Sequence, residues 1–139
     1  MYDLHNNIKV LNTEVGTLSN DTALVITADL KGYLSAEFLI ITGALVDANM
    51  TFALLVEDSA DNTTFAAVVD DYLLGVEAPE TLDFADDNKA IKIGYAGHKR
   101  YLKLTVTPTG NTDPSPYALV AIGGHPRVAP ITTQVETAS

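Results

Sequence analysis

The sequence predicts an all-β fold, an antiparallel β-sandwich or barrel. Three observations carry this. The apolar residues fall in short runs rather than at helical spacing. Several runs alternate apolar with polar side chains, the period of a strand with one buried face. Clusters of Ser, Asn, Asp, Gly and Pro separate the runs at intervals typical of sandwiches and barrels. At 139 residues the chain has the length of one domain, expected over residues 1–139. Its 47% hydrophobic and 19% charged residues are enough to pack a core and argue against disorder.

The elements follow in order. Residues 1–18 read as an extended N-terminal arm. Ala23–Leu30 is a strand, preceded by the turn set Ser19-Asn20-Asp21. Glu37–Leu45, with FLIITGAL at its centre, is a nearly continuous apolar run that suits a strand buried on both faces. Over Thr51–Glu57, Phe52, Leu54 and Val56 face one way and Thr51, Ala53, Leu55 and Glu57 the other. Asp58–Thr64 is a polar turn, and Phe65–Val69 returns as a strand. Val68–Asp86 has no clean period; a short helix at Asp70–Leu74 and a strand end followed by a turn are both open. Ile91, Ile93 and Tyr95 alternate with Lys92 and Gly94, Gly97–Arg100 makes a turn, and Leu102, Leu104 and Val106 alternate again. Pro108–Pro116 is a loop and Tyr117–Ile122 the last strong strand, which Gly123-Gly124 ends with a tight reversal. Residues 126–139 have little to bury and read as an extended tail. The count is about seven or eight strands.

Composition narrows function by exclusion. With no Cys there is no disulfide, thiolate metal site or Cys nucleophile. Eighteen acids against eight Lys and Arg give a net charge of −10, which repels nucleic-acid phosphates. No apolar run has the length of a membrane helix, so no membrane partner is expected. The N-terminus lacks a charged-then-apolar signal pattern. The charges are also segregated. Glu57–Asp87 holds ten acids and no base, whereas Lys89–Lys103 holds five bases and no acid. Either these are solvated surfaces, or acidic and basic patches meet across a subunit interface, or one of them docks on a larger assembly.

No catalytic constellation is evident. His5, His98 and His125 lie outside metal-ligand spacing, and no cofactor or metal is expected. Asp58-Ser59-Ala60-Asp61-Asn62 lacks the Gly and spaced Glu of a calcium loop and suits a hairpin turn. The pairs Asp70-Asp71 and Asp86-Asp87 suit solvated charge better than glycosidase chemistry. GxSxG, P-loop and GxGxxG patterns are absent, so no enzyme is expected.

Ile91–Gly110, IKIGYAGHKRYLKLTVTPTG, followed by Ser115–Pro130, SPYALVAIGGHPRVAP, resembles a group of small structural proteins of tailed bacteriophages and prophages. In that group a strand ending in IGY.G.KRY precedes one like LKLTVT, a Gly-rich loop, an apolar strand and a GHPR..P ending. Glu57–Val69, EDSADNTTFAAV, resembles the paired strands around SDDGTTFT.V in that group and in other jelly-roll modules, with Asn62 where Gly is usual. The resemblance implies an antiparallel β-sandwich of jelly-roll type with extended N- and C-terminal arms. It also implies a virion component made in the bacterial host cytoplasm, similar to capsid decoration (cement) proteins on the outer capsid surface. Such proteins are often homotrimers whose N-terminal arms touch the major capsid protein. The expected capsid or subunit contacts are Tyr2, Leu4, Ile8 and Val10 in the arm, and Lys99, Arg100 and Tyr101 in the basic turn. Alternatives are another virion part (head spike base, neck or tail) or a glycan-binding jelly-roll module, in which Tyr72, Tyr95 and Tyr101 would line a groove.

Overall fold

A computed structural model describes residues 3–75 and 81–128, without the side chains of Thr81 and Phe84. The strands are β1 (Ile8–Leu18), β2 (Leu24–Asp29), β3 (Tyr33–Thr42), β4 (Thr51–Ser59), β5 (Ala66–Ala67), β6 (Leu73–Leu74), β7 (Thr81–Asp83), β8 (Ala90–Tyr95), β9 (Tyr101–Thr109) and β10 (Ser115–Pro126). They form two antiparallel sheets. One has the order β1-β10-β3-β8-β6 and is called the front sheet below. The back sheet has the order β2-β9-β4-β5, and β7 pairs with the other end of the β4 edge. Leaving aside the short β6 and β7, the chain alternates between sheets except at β4 and β5, which pair with each other, as in a jelly roll, with β1, β10, β3 and β8 facing β2, β9, β4 and β5.

Alternation builds the core. Ile26 and Ala28 of β2, Phe52, Leu54 and Val56 of β4, and Leu102, Leu104 and Val106 of β9 point inward from the back sheet. Ala36, Phe38, Ile40, Ile93, Tyr95, Leu119 and Ala121 meet them from the front sheet. Burying each large apolar side chain contributes about 1.5–3 kcal/mol.

Acidic and amide side chains tie the loops at one end. Asp21 accepts the backbone N–H groups of Gly110 and Asn111. Buried Asp47 accepts from the N–H of Asn49 and from the N–H and hydroxyl of Thr112. These bonds, led by the Thr112 amide, hold its carboxyl below the usual range. Asn111, also buried, donates to the carbonyls of Leu18 and Asn20 and accepts from the Ser115 hydroxyl. Fully paired groups of this kind satisfy the buried polar atoms of a loop cluster.

Several expectations need correction. Residues 8–18 are not an arm but β1, paired along its length with β10. Its period is broken by a bulge between Val10 and Asn12, and that break hides the strand in the sequence. Gly123-Gly124 is not a reversal: β10 runs through it to Pro126, and residues 129–139 of the expected tail lie outside the described residues. A Cβ on Gly123 would sit 2.9 Å from the Tyr33 ring, so Gly there makes room for an aromatic neighbour. The Phe65–Val69 strand shrinks to Ala66–Ala67, and Asp70–Leu74 is a 3₁₀ turn at Asp70–Tyr72 followed by β6. Finally, β3 is buried on one face only: Leu39 is half-buried and Ile41 is 38% exposed.

Candidate functional site

The outward face of the front sheet is apolar. Strand register arranges it in rows. Val15, Ala118, Ile41 and Ala90 form one row, and Thr13, Val120, Leu39 and Lys92 the next. Val10, Ile122, Glu37, Gly94 and Leu74 form a third, and Ile8, Gly124 and Ser35 a fourth. Val15 is 67% and Leu74 60% exposed. The outward face of the back sheet differs. There Thr27, Thr105, Thr107, Lys103 and Glu57 surround Val25 and Leu55. A two-layer sandwich hides only one face of each sheet, so this apolar second face stays uncovered in the single chain.

Where the third and fourth rows meet the N-terminal segment, the face deepens into a groove of ≈ 940 Å³. The 3₁₀ turn His5–Asn7 forms one wall and Leu74-Gly75 another. Leu4, Ile8, Ser35, Glu37, Lys92, Ile122 and His125 line it. His125 has a positive φ of 48° and its Nδ1 lies 2.8 Å from the Ser35 hydroxyl. A Cβ on Gly124 would lie 2.8 Å from that hydroxyl, so Gly keeps the pair accessible to each other.

The expected contact residues therefore divide. Leu4, Ile8 and Val10 come together on the groove and front face. Tyr2 lies outside the described residues. Lys99, Arg100 and Tyr101 sit where β8 turns into β9, and their charges are occupied. The Arg100 guanidinium makes two 2.8 Å bonds to the carboxylate of Asp29 and lies over the Tyr101 ring at 4.9 Å. That pairing holds Asp29 below the usual carboxylate range. Lys99 Nζ lies 3.0 Å from Asp58.

Acidic and basic segments meet inside one chain. Lys103 lies 3.1 Å from Glu57, its direct cross-strand partner, and 4.3 Å from the centre of the Phe65 ring. Lys89 pairs with Asp86 at 2.8 Å. Asp58, Tyr95 and Lys99 form a latch between the sheets. The Tyr95 hydroxyl donates to Asp58 at 2.8 Å and accepts the Lys99 amide at 3.1 Å. Burial is the largest cause pushing the Tyr95 phenol up to about 12. A Cβ on Gly97 would lie 2.4 Å from Tyr95, so that position requires Gly. Tyr95, Gly97, Lys99 and Arg100 thus each have an architectural task.

The Asp58–Thr64 turn is closed by Asp61. Its carboxylate accepts the N–H groups of Thr64 and Thr63 and the Ser59 hydroxyl, which lower it to about 2. Asn62 takes the left-handed conformation, φ 60°, where Gly is usual in the resembling turns. Among the described residues, no group of three or more His, Asp or Glu is arranged to hold a metal. No helix among them is long and apolar enough to cross a membrane. Tyr95 is buried, Tyr72 is 42% exposed and stands edge-on to His98, and Tyr101 lies under Arg100.

The residues missed by sequence reasoning are Leu39, Ile41, Val120 and Ile122. Their signal was the unbroken apolar runs in β3 and β10. Such runs make both faces of a strand apolar, and the fold buries only one.

No protein-family model and no curated protein sequence matches the chain. Among solved structures, the Yersinia pseudotuberculosis-derived mitogen superposes with a TM-score of 0.47 and 14% identity, covering 94% of this chain and 99% of that chain.

Proposed function

We propose that this chain is a non-enzymatic bacteriophage virion structural protein, a capsid decoration (cement) protein that binds the major capsid protein on the outer shell. The observation that supports the reading best is the N-terminal segment, which lines the groove at the rim of the front face. Leu4, Ile8 and Val10 offer that rim to the capsid. The sequence likeness of Glu57–Val69, Ile91–Gly110 and Ser115–Pro130 to phage structural proteins supports it from a second side. The role follows from mechanics. Packaged DNA pushes capsomers apart, and a multivalent cap bridging neighbours opposes this with modest contacts at many sites.

The test is quantitative mass spectrometry of purified particles from the source, read as copies of this chain per major capsid subunit. Copies on the scale of the capsid subunits themselves support decoration. Only a handful per particle moves the protein to the neck, tail or spike base. Absence overturns the virion reading.

A further inference from the structure

We infer that the outward face of the front sheet, which carries Val15, Ala118, Ile41, Val120 and Leu39, is a self-association surface that receives a second copy of this chain. Size is the first argument. Strands of eleven, twelve, ten, six and two residues, at about 3.3 Å per residue and about 4.8 Å apart, give the whole outward face a projected area of roughly 650 Å². Its corrugated accessible area approaches the roughly 800 Å² per partner of a stable interface. Charge is the second. A chain of net charge −10 repels its own copies. Yet the four rows carry one acid, Glu37, and one base, Lys92, so two such faces meet without a like-charge excess. Shape is the third. Regular rows on adjacent strands of one sheet pack face to face against another sheet about 10 Å away. The opposite sheet lacks this character, since Thr105, Thr107, Lys103 and Glu57 dominate its outward face.

The test needs no particle, so its failure leaves the decoration reading to the mass-spectrometric count. Sedimentation equilibrium of the full chain across a wide concentration range should give a mass that is a multiple of 14.8 kDa. Val15→Lys and Val120→Lys should each weaken association about tenfold or more by burying an unpaired charge. Val15 is well exposed on an edge strand, so V15K keeps the fold even where V120K does not; circular dichroism checks both. Thr105→Lys, on the opposite sheet, should associate as the unchanged protein does. A mass of 14.8 kDa at every concentration overturns the inference. So does association that V15K leaves intact, or that T105K disrupts instead.

Discussion

The Asp58–Tyr95–Lys99 latch shows how single residues set the behaviour of this sandwich. Tyr95→Phe removes the donor to a carboxylate that is 7% exposed and leaves it with Lys99. The expected loss is about 1–3 kcal/mol in chemical denaturation. The pH dependence has a definite sign. Tyr95 has its folded pKa raised to about 12, above the unfolded value near 10. Its contribution is therefore fully present below about pH 10 and is lost as pH rises toward 12. Y95F should lose that alkaline slope, which denaturation midpoints against pH would reveal. An unchanged slope would mean that the latch does not couple to folding. At the acid end the sign reverses. Asp29, Asp47 and Asp86 are held below their usual range, and Asp61 at about 2. Their stabilisation is present above about pH 4 and fades as pH falls toward 2. Gly97→Ala places a methyl 2.4 Å from Tyr95 and should lower the melting temperature more than a surface Ala substitution does.

At the scale of elements, legibility followed periodicity. Strands β2, β4, β8 and β9 were readable because one face is apolar and the other, Val25 and Leu55 apart, polar or small. The bulge in β1 defeated that test, and so did its inward Asn12, which reaches across to donate to the carbonyl of Thr27 on β2. Strand β10 was underestimated because Gly123-Gly124 reads as a breaker when the neighbouring Tyr33 is unseen. The candidate face was present in the sequence as the unbroken runs of β3 and β10. Whether those runs meant two covering layers depended on the topology. The correction to β1 changes a truncation experiment. Deleting residues 1–7 should leave the melting transition nearly unchanged and remove particle binding, because the paired strand begins at Ile8. Deleting 1–18 should abolish cooperative unfolding, since it exposes β10 and removes Leu18 from the core. If the short deletion binds particles as before, the N-terminal rim is not the capsid contact.

At the scale of the whole molecule, the separation of acids and bases along the chain invites a picture of subunits joined by charge. The fold argues otherwise. Glu57, Asp58 and Asp86 from the acidic stretch meet Lys103, Lys99 and Lys89 within one copy, and Arg100 meets Asp29. What remains for a neighbour is a net charge of −10 and an apolar sheet face. Repulsion between like-charged copies is long-ranged at low salt, with a screening length of about 30 Å at 0.01 M that falls to about 3 Å at 1 M. Apolar contact is not weakened by screening. Self-association should therefore strengthen as sodium chloride is raised, read as a falling dissociation constant in sedimentation at constant pH. Association that weakens with salt would mean that acidic and basic patches do cross between copies, and the front face would lose its role.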